Sequence, residues 1–416
     1  MSKGRFHRAW IILGVCFLDV FVSYSIRLGF GILLPVMIPA LQMNRTSAGA
    51  ILNSYFLVYI FATPFTGILT DRYGARKIIT LFCIILGIGA SLIGTVNEVW
   101  TACVFFGLAG AGASAMWASV VTVVQKWFTS RRRGMALGFL STGYGLSFAT
   151  MGLLFPALVG SFSWRSCWYV LGIGTLIMAL LNVIFLRSSP DELQISPWGG
   201  EGYKLTELSN RNTLLGEKRF GKVFHSSQFW IIGVSYLFIA CSNYIVTTFM
   251  VDYANTELGF NFNKASFLVT IRGLSQVVGV LTIPMISDRM GRKMTIAGSN
   301  LLIALGTIGL IVSSKELPIL LMSIVVHGVF TGAVWPMYSA CAGDYFRKEV
   351  IGTVIGAWTP FYGAGAILAH FTGGRIYDKT DSYQMAFFLA ILLAILATFL
   401  ILLVKNVNEE RIDRLR

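Results

Sequence analysis

Two arginines, Arg27 and Arg272, stand inside long apolar runs of the sequence, where a charge costs about 2.5–3.5 kcal/mol even on the lenient insertion scale. A side chain kept there at that cost belongs against a cavity or a partner rather than against lipid. Arginine presents a planar fork of donors that fits carboxylate or phosphate, so two such groups point to recognition of an anion. Helical spacing gives each one polar and small neighbours. Asp19, Ser23, Arg27 and Gly31 recur at i+4, and Arg272 is followed by Ser275, Gln276 and Gly279 at i+3, i+4 and i+7. Both stripes are expected to line a cavity. Asp19 lies about 12 Å along the helix axis from Arg27, long for a direct pair. Asp19 and His327, each about ten residues into its apolar run and so near mid-depth, are the titratable groups placed to carry a proton.

The elements that must position these residues follow from composition. Of 416 residues, 55% are hydrophobic, 13% aromatic and only 12% charged, against about a quarter charged in soluble domains. A soluble enzyme is therefore excluded. A bilayer core about 30 Å thick takes about 20 apolar residues per helix. Apolar spans run over 9–40, 46–70, 78–95, 99–125, 135–161, 167–186, 228–252, 263–287, 294–313, 317–342, 351–373 and 385–404, which predicts twelve transmembrane helices. With the N-terminus placed inside, 25 of the 33 basic residues fall in inside segments and six in outside loops; the remaining two are Arg27 and Arg272. Such asymmetry predicts cytoplasmic termini, and it makes the net charge of +14 a statement about orientation rather than about nucleic acid. The six cysteines lie in the spans without metal-ligand spacing, and no nucleophile–base constellation appears. Neither enzyme activity, a cofactor nor a metal is expected.

The main shift in composition is a polar stretch rich in Pro, Gly and charge, so the chain divides into 1–187, a linker 188–227, and 228–416. The two larger parts repeat. Gly67-Ile-Leu-Thr-Asp71-Arg72-Tyr-Gly74-Ala-Arg76-Lys77 recurs as Ile286-Ser-Asp288-Arg289-Met-Gly291-Arg292-Lys293, with Asp71 and Asp288 offset by 217. Within one residue of that offset, Trp117 matches Trp335, Phe128 matches Phe346, Gly134 matches Gly352, and Tyr144-Gly145 matches Tyr362-Gly363. The mate of Arg27 is Tyr244 and that of Arg272 is Tyr55. A cavity between two pseudo-symmetric halves would thus hold two guanidinium groups and two phenols in corresponding places.

On the complete Gly-x-Leu-x-Asp-Arg-x-Gly-x-Arg-Lys sequence and its repeat, the chain resembles a major facilitator superfamily transporter over essentially its whole length. The resemblance implies an all-α membrane protein with twelve transmembrane helices in two pseudo-symmetric six-helix halves. It implies a gating role for Asp71, Arg72, Gly74, Arg76, Asp288 and Arg289. Within the superfamily, Lys126-Trp127-Phe128, Arg131-Arg132-Arg133-Gly134, Arg187-Ser-Ser-Pro190-Asp191-Glu192-Leu193 and the arginine of the eighth span resemble the monocarboxylate porter and oxalate–formate antiporter branch. The eleventh span departs from the oxalate–formate pattern: it has no lysine and offers Trp358, Tyr362 and His370. The spacing from Arg27 to Pro35 and Met37 resembles instead the anion:cation symporters.

The expectation is a secondary transporter of a small mono- or dicarboxylate such as lactate, formate or oxalate, working by alternating access with proton symport or anion exchange. Sugar-acid symport and drug efflux are the alternatives; the absence of arginine from 99–125 speaks against efflux. Arg27, Arg272, Tyr55, Tyr59, Tyr244, Asn243, Trp117, Trp335, Gln276 and Tyr362 are the expected substrate-binding residues. Asp19 and His327 are the expected proton carriers. The expected partners are the anion, a proton or counter-anion, and membrane lipid, for a monomer in the inner membrane of the cell.

Overall fold

The computed structural model describes residues 7–199, 223–313, 316–346 and 350–404. Most of the linker expected over 188–227, and the basic tail from 405, lie outside the described residues. The chain divides into two compact units: Met1–Met43 with Ala50–Ser209, and Asn44–Gly49 with Asn210–Arg416.

The first unit is built from α1 (Arg8–Ala40), α2 (Arg45–Tyr73, whose first residues through Gly49 group with the second unit), α3 (Ala75–Ile93), α4 (Val99–Ala113), α5 (Ala118–Trp127), α6 (Ser130–Ser161) and α7 (Trp164–Phe185). The second holds α8 (Ser227–Thr256), α9 (Phe262–Met290), α10 (Arg292–Val312), α11 (Leu317–Tyr345), α12 (Ile351–Thr380) and α13 (Gln384–Leu403). The fourth span, expected as one helix over 99–125, is interrupted at 114–117 and resumes as α5, so that Trp117 stands at the break. Taken as one span, α4 and α5 bring the described residues to the twelve helices expected. Eleven of these spans are long and apolar enough to cross a membrane.

Helix α7 divides its faces in the way a lipid-bathed bundle requires. On α7, Cys167, Trp168, Leu171, Thr175, Met178, Ala179 and Asn182 are buried. Ile173, Ile177, Leu180 and Ile184 are exposed at the alternate three- and four-residue spacing. An apolar stripe of that length on an outer face is satisfied by lipid tails rather than by water.

The packing repeats between the units as the sequence does. In the first, α3 packs on α7 and α4, and α1 on α6. In the second, the corresponding α10 packs on α13 and α11, and α8 on α12. The tight joints correspond too. Gly74 between α2 and α3 has φ +87° and ψ 141°, and Gly291 between α9 and α10 has φ +89° and ψ 144°. A residue with a Cβ is strained in this positive-φ, extended-ψ region by about 1–3 kcal/mol. Gly74→Ala and Gly291→Ala are therefore each expected to lower the apparent melting temperature in detergent. Gly298→Ala, inside α10 with nothing within 4 Å of an added Cβ, should leave it level or raise it, since alanine favours the helix.

Candidate functional site

In the first unit, Arg27 is 7% exposed and its guanidinium lies over aromatic faces. Its central carbon is 4.2 Å from the Phe56 ring centroid and 5.6 Å from those of Tyr59 and Tyr24. The negative face of a ring attracts a cation. Tyr59 stacks on Tyr55 at 6.3 Å with an interplanar angle of 7°, and Tyr24 meets Tyr144 at 4.8 Å and Trp117 at 6.5 Å. Of the expected substrate-binding residues, Arg27, Tyr55, Tyr59 and Trp117 thus fall in one aromatic group. Tyr24, at i−3 from Arg27, and Phe56 complete it; helical spacing could have found the former.

In the second unit, Arg272 is fully buried. Its terminal nitrogen Nη2 donates to Asn243 Oδ1 and to Thr247 Oγ1, both at 2.8 Å, and Nε donates to His327 Nδ1 at 3.3 Å. Asn243 and Thr247 are one turn apart on α8, while His327 comes from α11, so three helices fix the guanidinium plane. Accepting from Arg272 requires His327 to be neutral, with its proton on Nε2. His327 thus orients Arg272 in this arrangement. Gln276, one turn after Arg272, is 1% exposed, and neither of its amide atoms has a described partner. Such a buried carboxamide is placed to meet a polar ligand. Tyr244, Tyr362 and Trp335 form a second group: Tyr362 lies 5.6 Å from Tyr244, 6.4 Å from Trp335 and 4.9 Å from Tyr236. His370 meets Tyr244 at 5.5 Å.

The expected common face of Asp19 and Arg27 is not kept. Eight residues at 3.6 per turn leave the two about 80° apart around α1, and that drift carries Asp19 onto a different set of neighbours. Asp19 Oδ1 accepts from Asn182 Nδ2 on α7 at 2.7 Å, with Cys83 Sγ on α3 at 3.9 Å. Asn182 was not legible locally, since its partner is 163 positions away.

The residues expected to gate are spread over two joints. Ser188 Oγ accepts from the Arg76 backbone N–H at 3.0 Å, and the Arg76 guanidinium donates to the Val183 carbonyl. Asp71 and Arg72 are exposed. In the second unit Asp288 pairs at 2.6 Å with Arg292, which also reaches Asp344 at 3.4 Å, while Arg289 is exposed. Arg292, outside the expected set, is therefore the residue that links the acids there.

A further ionic group involves Arg45, which the sequence left among loop charges. Its Nε is 3.0 Å from Asp252 Oδ2, and its guanidinium lies 4.2 Å over Tyr377. Asp378 accepts from the backbone N–H groups of Arg45 and Thr46 at 3.0 and 2.8 Å, capping the first turn of α2. The Tyr383 hydroxyl donates to Asp252. Burial, then the adjacent carboxylate, push that phenol well above its ordinary range.

The major facilitator superfamily model matches residues 13–262 and 232–415. The probable sulfoacetate transporter of Cupriavidus necator is 21% identical, over 93% of this chain and 92% of its own length. The hexuronate transporter of Bacillus subtilis is 23% identical, over 93% and 92%. The probable galactarate/D-glucarate transporter of Escherichia coli K12 is 21% identical, over 92% of each. Among solved structures, a bacterial homologue of the human lysosomal transporter Spinster, inward-facing and unoccupied, superposes with a TM-score of 0.78 at 14% identity, over 96% of this chain and 98% of that one. With twelve helices in two repeating sets and a family match spanning nearly every residue, this multi-pass membrane protein belongs to the major facilitator superfamily.

Proposed function

We propose that the chain is a secondary transporter of a small organic anion, with Arg27 and Arg272 as the anion ligands. The observation that carries this reading is the burial of two guanidinium groups in membrane-spanning helices, Arg27 over the rings of Phe56, Tyr59 and Tyr24, and Arg272 oriented by Asn243, Thr247 and His327. A substrate carboxylate or sulfonate offers a guanidinium a charge-assisted, bidentate contact that neither amide nor hydroxyl offers. Gln276, Tyr55, Tyr59, Tyr244, Tyr362, Trp117 and Trp335 contribute the polar and aromatic lining. The relatives named for sulfoacetate, hexuronate and galactarate or glucarate support the anionic class.

A mono- or dicarboxylate is the substrate we infer first. Sugar acids are the second reading, favoured by two of those relatives and by the hydrogen-bonding capacity of Asn243, Thr247 and Gln276 beside Arg272. We place the coupling proton at Asp19 rather than His327, because His327 is committed as an acceptor to Arg272. Gating is assigned to the Gly74 and Gly291 joints and their charged neighbours, including Asp71, Arg72, Arg76, Asp288 and Arg289.

Uptake into proteoliposomes of labelled lactate, formate, oxalate, sulfoacetate, glucuronate and glucarate tests the reading. At least one anion should accumulate, and Arg27→Gln should cut its uptake by about tenfold or more, as loss of a charge-assisted contact of about 1.5–3 kcal/mol requires. Undiminished uptake in Arg27→Gln would remove that residue from the site.

A further inference from the structure

Asp19 and Asn182 are both fully buried, and each has one oxygen satisfied by nothing described. Asp19 Oδ1 accepts from Asn182 Nδ2 at 2.7 Å, while Asp19 Oδ2 and Asn182 Oδ1 are without hydrogen-bond partners. Two acceptors are thus left open on one hydrogen-bonded pair, and neither carries a hydrogen if the carboxyl is ionised. A single proton on Asp19 Oδ2 supplies the missing donor: with Oδ2–H turned to Asn182 Oδ1 while Asn182 Nδ2 donates to Asp19 Oδ1, a carboxylic acid and a carboxamide would share a ring of two hydrogen bonds.

The surroundings fit a proton better than a metal ion. Hard cations gather about six or more oxygen ligands, whereas these two oxygens are the open ones on the pair. The Thr175 hydroxyl donates to the Leu171 carbonyl, and the Thr175 carbonyl takes the Cys83 thiol at 3.3 Å. The titratable neighbours are Cys83 on α3 and Cys16 on α1 itself. Helix α7 contributes the uncharged Asn182 and Thr175, and α5 and α6 carry their charges near their shared end, at Lys126 and Arg131–Arg133. No basic side chain is paired with Asp19 among its described hydrogen bonds.

We propose that Asp19 and Asn182 form a proton-binding site within the first unit, with Asn182 as the residue that positions the proton. The proton bridges α1 to α7, and its departure leaves a buried carboxylate facing an amide oxygen, which loosens that contact. Since α1 also carries Arg27, proton occupancy acts on the anion ligand through the helix rather than by contact. This last link rests on the transport reading; the site itself does not.

Infrared difference spectroscopy of the purified protein, with no substrate present, tests it. Wild type at neutral pH should show the C=O stretch of a neutral, hydrogen-bonded carboxylic acid. Asp19→Asn should abolish that band, and Asn182→Leu should shift it to the frequency of a less hydrogen-bonded acid. Either the absence of the band in wild type or its persistence in Asp19→Asn would overturn the site. An unmoved band in Asn182→Leu would overturn the role of Asn182. Thermal stabilisation of wild type by sodium over choline that disappears in Asp19→Asn would replace the proton with a cation. A confirmed band in a protein that transports no anion would refute the transport reading and leave the site standing.

Discussion

Arg272→Gln is expected to abolish saturable anion uptake while leaving the protein folded. The guanidinium is held by α8 and α11 through Asn243, Thr247 and His327, so its orientation is fixed before any ligand arrives and little ordering is lost on binding. Truncating one partner of a buried, hydrogen-bonded charge pair costs about 2–5 kcal/mol, about thirtyfold or more in affinity. Glutamine keeps a polar amide on a side chain two bonds shorter, and it removes a charge that is expensive within the bilayer, so the fold should survive. Arg272→Lys is expected to recover little. An ammonium is a point charge that cannot reach Asn243, Thr247 and a ligand with the same planar fork. Initial rates over a concentration series in proteoliposomes, set against the melting temperature of each variant, separate lost binding from lost folding. Wild-type uptake in Arg272→Gln would refute the assignment.

The largest effect on stability is expected at the α9–α11 contact. A Cβ on Gly279 would lie 1.7 Å from the Val329 carbonyl oxygen, and one on Gly332 would lie 2.3 Å from that of Gln276. In both cases the obstacle is backbone, so no rotamer change relieves it and the helices must move apart. Overpacking a close seam costs about 1–3 kcal/mol and occasionally more, and Gly279→Val belongs at the upper end. Small residues are what allow such approach where lipid supplies no hydrophobic drive for association. Gly279→Val should give little monodisperse protein and a lowered melting temperature. Gly279→Ala should be milder, yet still weaken anion binding, because separating α9 from α11 lengthens the contact between Arg272 on one and His327 on the other. A Gly279→Val protein with wild-type melting behaviour would refute the close packing of these helices.

What could be read from the sequence was whatever physics makes costly or periodic. Arg27 and Arg272 stood out because charge inside an apolar run must have a reason. The two halves stood out because an offset of 217 recurs at Asp71 and Asp288 and again at the glycines, whose φ angles of +87° and +89° repeat the same turn. Partnerships between distant helices were hidden. Asn182 lies 163 residues from Asp19, and Asp252 lies 207 from Arg45, and nothing local to either member marks the other. Helical drift also misled: a stripe at i+4 holds for two or three residues, and over eight it turns Asp19 away from Arg27. His327 was legible as a mid-depth titratable group, but that it accepts from Arg272 depends on α9 and α11 touching, which only the small residues Gly279, Gly328 and Gly332 hinted at.

If fixed guanidinium groups select an anion, ligand-induced stabilisation of the purified protein reports that selection. A ligand that binds the folded state raises the melting temperature by mass action. Purified wild-type protein should be stabilised by at least one carboxylate or sulfonate and not by the corresponding neutral primary amide, and the effect should vanish in the Arg27→Gln, Arg272→Gln double variant. Equal stabilisation by acid and amide, or its survival in the double variant, would show that these arginines do not select an anion.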